Sequence, residues 1–200
     1  MYFRLLHDEV TGKMSYLLAD LVAGEAVVID PRSSDVPVIQ GMLTEHRLQL
    51  RWVLRTHEHD KHQPGEADAL KTLGAPLIGH RADAVVGDVL AFGNEHLRIL
   101  DTPGHTSGCQ SYLWRDRLFC GDLFALDGCP WQSWPAHPEA LWDSVTRRVF
   151  TLPNETLLFA GHARGARSVS NVLEQRSSHP WFAGTTRDVF LARVARHIGT

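Results

Sequence analysis

Lysine is scarce here: of twenty basic residues only Lys13, Lys61 and Lys71 are lysines, and the basic positions are scattered along the chain. With a net charge of −3 and no basic cluster, the sequence offers no electrostatic footprint for nucleic acid or an anionic membrane, and neither is an expected partner. Cysteine is equally sparse. Cys109, Cys120 and Cys129 are odd in number and lack metal-knuckle spacing, which excludes a disulfide framework and fits reduced thiols. No apolar run reaches membrane-spanning length, and "MYFRLLHDEV" has acids too early and an apolar stretch too short for a secretory signal, so a cytoplasmic protein is expected. Two hundred residues suit one domain over 1–200 with a substantial core.

Short β-rich runs come first: "YFRLL", "MSYLLAD" and "EAVVIDP", separated by Gly12 and Gly24, predict an antiparallel start to a sheet. "SDVPVIQGMLTEHRL" has helical spacing, and "LRWVLRTH" returns to strand character and runs into a group of histidines. "GEADALKTLG" predicts a short helix closed by Gly74, followed by a strand in "APLIGH". Downstream, "HLRILDTPGHTSG", "SYLWRDRLFCGD" and "ETLLFAGHARG" each read as an apolar strand ending in a Gly-containing loop that carries His105, Asp122 or His162. "PEALWDSVTRRVFTL", "SVSNVLEQRSS" and "TTRDVFLARVARHI" read as amphipathic helices covering the sheets. The polar candidates therefore collect past the carboxyl ends of strands, where layered α/β proteins place their active sites.

In the strand-like segment "RTHEHDKH", positions i and i+2 project to the same side, so His57 and His59 face one pocket while Glu58 faces away. His62 follows after a turn. His105, Asp122 and His162 add two imidazoles and a carboxylate from three further strand ends, a collection that points to a metal.

"THEHDKH", "TPGHT", "GD" and "GH", in this order, resemble the metallo-β-lactamase superfamily. The resemblance implies an α/β fold, an αββα sandwich of two mixed sheets flanked by helices, with metal at one edge. "TPGHTSGCQSYL", "FCGDLFALDGC" and "VFTLPNETLLFAGH" are most similar to the persulfide (sulfur) dioxygenase branch, related to glyoxalase II. That branch implies one Fe(II) per chain held by His57, His105 and Asp122, with zinc as the alternative occupant on isolation. It also implies O2 and a small-molecule, glutathione-persulfide-like substrate as partners, the outer sulfur being oxidised to give sulfite and thiol. Two imidazoles and one carboxylate leave open positions of the kind non-haem iron enzymes use.

The superfamily pattern at the first cluster is His-x-His-x-Asp-His, and here Lys61 stands at the Asp position with Asp60 displaced by one residue. An inward ammonium about 4 Å from a divalent ion meets roughly 8 kcal/mol of repulsion at an effective dielectric of about 20. Lys61 would thus empty the second metal site of the hydrolases, leaving His59, Asp60, His62 and His162 as outer partners or remnants of it. The Arg-Thr-Asp segment usual after Gly128 and Cys129 is replaced by Pro130 to Ser133, and His162 is followed by Ala163 and Arg164 rather than Asp-Tyr. Arg164, Arg167, Trp131 and Cys129 are the candidate substrate contacts, with Trp134 a further candidate for the pocket wall, and a homodimer is allowed. Two alternatives stay open: a zinc thioester hydrolase of the glyoxalase II kind, for whose larger helical substrate domain the last helix leaves little room, and a catalytically silent metal-binding member.

Overall fold

The structure, a computed structural model, describes residues 1–59, 66–79, 89–125, 129, 132, 134–164 and 167–198. Strands β1 (Tyr2–His7), β2 (Met14–Asp20), β3 (Glu25–Ile29), β4 (Gln49–Leu54) and β5 (Leu77–Ile78) form one sheet in that order. The first three are antiparallel neighbours, turned at Gly12 and Gly24 as the spacing predicts, and β3–β4–β5 are parallel. The second sheet runs β11 (Arg167–Asn171), β10 (Leu157–Arg164), β9 (Arg117–Gly121), β8 (Gln110–Trp114), β7 (Glu95–Asp101) and β6 (Val89–Phe92), antiparallel except for β9–β10.

Strand β2 is buried at every position, and its two faces go to different places. Met14, Tyr16 and Leu18 join Val27, Phe92, Trp114 and Phe119 in the core between the sheets. Leu17 and Ala19 face the opposite way, toward Ile39 of α1 (Val36–Glu45). This period-two division is what a strand between two apolar layers requires. On the far side of the second sheet, Leu118, Cys120 and Leu158 meet Leu141 of α3 (Pro138–Ser144), Val172 of α4 (Val172–Ser178) and Phe190 of α5 (Arg187–Ile198). The short α2 (Glu66–Lys71) follows the first histidine cluster. The layers are helix, sheet, sheet, helix, the expected αββα sandwich.

Four readings need correction. "SYLWRDRLFCGD" is two strands, β8 and β9, joined at Arg115–Asp116, with Arg115 at φ 55°. His162 lies inside β10 rather than in a loop after it, bridged to Lys13, in the irregular stretch between the Phe159 and Arg164 pairings with β11. "SVSN" belongs to strand β11, and the helix starts at Val172 because the Asn171 side chain accepts the Glu174 N–H. In "PEALWDSVTRRVFTL" the α-helix ends at Ser144, and a π-helical turn continues over Val145–Val149.

The two sheets are pinned together at one edge. Tyr16 donates its hydroxyl to the Ala160 carbonyl at 2.5 Å, and Tyr112 donates to the Arg55 carbonyl at 2.9 Å. The polar candidates gather at that seam. Among the described residues no helix is long and apolar enough to cross a membrane.

Candidate metal centre

The first sheet supplies its share through a chain of hydrogen bonds. Asp30, just past β3 at φ 51°, accepts the Thr56 N–H at 2.7 Å and the Thr56 hydroxyl at 2.8 Å. Having given its one proton to Asp30, the Thr56 oxygen can only accept from its other neighbour, His57 Nδ1, 3.0 Å away. In the neutral imidazole Nε2 then carries the lone pair, the form a metal needs. Gly121 makes this possible from the second sheet: at φ 53° it packs so close that an added Cβ would sit 2.3 Å from Thr56 Oγ1.

The second sheet presents the rest. His105 sits in the β7–β8 loop, which is braced by Gly104 N–H to the Thr106 carbonyl at 2.9 Å and by Thr106 N–H to Cys109 Sγ at 3.1 Å. Gly104 backs onto α3, where an added Cβ would lie 2.3 Å from Leu141 Cα. Asp122 follows β9 directly. Its Oδ1 is 2.7 Å from His162 Nδ1, and its Oδ2 lies 3.4 Å from His57 Nε2 and 3.8 Å from His105 Nε2.

The ligand atoms of His57, His59, His105 and Asp122 all lie within 4.8 Å of one another. The three imidazoles stand nearly edge-on to each other, with ring centroids 4.8 to 5.2 Å apart. His105 Nε2 and Asp122 Oδ2 are buried and have no hydrogen-bond partner. Two unsatisfied lone-pair atoms aimed at one point are costly unless a cation sits between them. Donors about 2.1 Å from a shared ion stand about 3.0 to 3.5 Å apart; the Asp122–His57 separation of 3.4 Å falls in that range, Asp122–His105 is 3.8 Å, and the group as a whole spans up to 4.8 Å. The residues fit a divalent metal.

Electrostatics agree with a site that prefers a cation. Burial pushes His59 and His105 down to about 4, so both stay neutral and able to ligate at neutral pH. Burial also opposes charge on His57, but the Asp122 carboxylate outweighs it and raises its pKa. Asp122 itself is held well below the usual carboxylate range, because the His57 and His162 imidazoles overcome its burial.

The three predicted ligands and His162 thus come together, and His59 stands within the ligand group rather than only outside it. Cys129 Sγ lies 3.3 Å from His59 Nε2, beside the cluster. Trp134 instead packs edge-on against Trp181 in the helical layer. Asp60, Lys61, His62 and Trp131 lie outside the described residues. Arg164 and Arg167 pair backbone to backbone at the end of the β10–β11 hairpin, and their side chains lie outside the described set. Reading the sequence missed Asp30, Thr56 and Gln132, whose amide donates to the His105 carbonyl. Thr56 was findable as the hydroxyl residue abutting His57.

No protein-family model matches the chain. Over 188 residues it is 30% identical to the human persulfide dioxygenase ETHE1, mitochondrial, covering 88% of this chain and 74% of the relative. The chain belongs to the metallo-β-lactamase superfamily, in its persulfide dioxygenase branch. The crystal structure of ETHE1 from Myxococcus xanthus matches this fold with a TM-score of 0.84 at 31% identity, over 98% of this chain and 91% of that one. A hydroxyacylglutathione hydrolase from Rhodospirillum rubrum is 32% identical over 163 residues, which are 74% of this chain and 60% of that protein.

Proposed function

We propose that this protein is a mononuclear non-haem iron persulfide dioxygenase that oxidises the outer sulfur of a glutathione-persulfide-like low-molecular-weight persulfide with O2, hydrolysis of the product by water then giving sulfite and thiol. The observation that carries the reading is the set of two imidazoles and one carboxylate, His57, His105 and Asp122, with Asp122 Oδ2 facing both Nε2 atoms. Fe(II), when bound there, supplies the redox chemistry with O2 that no side chain offers. The chain's own groups do the rest. Asp122 Oδ1 is committed to His162, so the carboxylate is turned to present a single oxygen. Asp30 and Thr56 hold the His57 ring in one orientation and tautomer. His105 and Asp122 are only 2% and 3% exposed, which keeps bulk water off the ligands and strengthens their charge interactions. The cationic Lys61 at the position of a hydrolase ligand supports a single metal. The cytoplasmic setting stays part of the proposal; Cys109, Cys120 and Cys129 are buried and form no disulfide with one another.

A second reading has its own support. With His59 the cluster offers three imidazoles and a carboxylate, enough for a zinc centre that activates water for thioester hydrolysis. Both rates on one iron-loaded sample test the choice: O2 uptake with glutathione persulfide is expected to exceed hydrolysis of S-lactoylglutathione by far, and a dominant thioesterase rate would reverse the assignment.

A further inference from the structure

Cys129, on the segment that follows Asp122, is 3% exposed and places its Sγ 3.3 Å from His59 Nε2. His105 Nε2 and Asp122 Oδ2, buried and without a hydrogen-bond partner, mark the place of the ion, and His59 has a nitrogen within 4.8 Å of both. His59 is therefore close enough to ligate. Whether it does so is decided by its lone pair.

A neutral imidazole has one N–H and one lone pair. Gln132 spends its amide nitrogen on the carbonyls of His105 and Trp134, so toward His59, its further partner, it offers only an accepting oxygen, for which the ring must hold a proton. The Cys129 thiol has one proton to give and a sulfur that accepts weakly, whereas an imidazole lone pair accepts well. The favoured direction of that contact is S–H to Nε2. His59 then carries its proton on Nδ1 and has no lone pair left for a metal.

We infer that Cys129 is a positioning residue whose thiol proton occupies the lone pair of His59 and so keeps the centre at two imidazoles and one carboxylate. The inference rests on the three-ligand reading above and supplies a cause for it. A fourth protein ligand would favour closed, tetrahedral zinc, whereas three leave positions for substrate and O2. One hydrogen bond, made outside the ligand set, thus selects between the two kinds of centre that the same residues can build.

Nitrogen-15 NMR of the zinc-loaded protein, with the His59 signals assigned by their loss in His59→Ala, reads the ring directly. In the parent, His59 is expected to hold its proton on Nδ1 with neither nitrogen bound to zinc. Cys129→Ala should move His59 onto the metal and tighten zinc binding roughly fivefold to tenfold against a chromophoric chelator, because the S–H no longer competes for the lone pair. Cys129→Ser keeps a donor and should restore the parental ring state and affinity, and in the His59→Ala background Cys129→Ala should tighten nothing. Unchanged His59 signals and affinity in Cys129→Ala overturn the inference and leave the three-ligand reading standing. A proton on Nε2 in the parent overturns the inference with no variant needed. His59 already bound to zinc in the parent overturns the inference and the three-ligand reading together.

Discussion

Replacing Gly121 by Ala tests whether the two halves of the centre depend on one close approach. At φ 53° an L-residue carries roughly 1 to 2 kcal/mol of backbone strain. The new Cβ would also stand 2.3 Å from Thr56 Oγ1 and 2.8 Å from Thr56 Cβ, and Thr56 is 1% exposed with little room to yield. Overpacking of this kind costs about 1 to 3 kcal/mol. The sum, about 2 to 5 kcal/mol, corresponds in a chain of this size to a melting temperature lower by roughly 4 to 20 °C. Because the clash falls on the Asp30–Thr56–His57 chain, metal affinity should drop by roughly 10- to 100-fold, as when an outer partner of a ligand is lost. Gly184→Ala is the control: it too has positive φ, at 62°, but a Cβ there meets nothing within 4 Å. It should show the strain alone and keep parental metal affinity. Thermal unfolding of the chelated protein and competition for zinc against a chromophoric chelator read the two effects. If Gly121→Ala matches Gly184→Ala in both assays, the packing argument is wrong.

Asp122→Ala should lose iron and O2 uptake together, and full iron occupancy in that variant would remove Asp122 from the ligand set. His59→Ala separates the two readings of the centre: metal affinity should fall about 10- to 100-fold if His59 only supports the ligands, and binding should be lost altogether if it is one of them. Lys61→Asp should raise zinc stoichiometry from one toward two per chain by metal analysis, and a parent already holding two would show that Lys61 does not keep the site single. Asp35 supplies a pH test away from the metal. Burial opposes its charge, but hydrogen bonds from Arg32 and Ser15 outweigh this and lower its pKa below the ordinary 3.8. Its contribution to stability is therefore present above about pH 4 and lost as pH falls through the folded value. Asp35→Asn should flatten that acid limb in urea titrations, whereas an unchanged limb would assign the acid sensitivity elsewhere.

Most strands and the clustering of the histidines with Asp122 were legible where the determining forces are local. Gly12 and Gly24 marked the first two turns, and alternate histidines in an extended segment placed His57 and His59 on one side. What escaped depends on distant partners. Strand β11 exists because Val169 pairs with Phe159 of β10, although the Asn171 to Glu174 spacing already carried a helix-capping signal. The turn at Arg115–Asp116 lacks the Gly or Asn that usually announces a two-residue hairpin, so β8 and β9 read as one strand. Asp30 and Thr56 meet 26 residues apart in sequence, and nothing local shows that their bond orients a ligand.

The seam between the sheets has a consequence for folding. His57 comes from the edge of one sheet and His105 and Asp122 from the other, so an ion held by the three would act as a removable rivet through the sandwich. Its binding energy counts only when the sheets are in register, and at a free concentration a hundred times its dissociation constant it adds about 2.7 kcal/mol to their closure. Cellular metal supply would then set how long each molecule survives as well as whether it works.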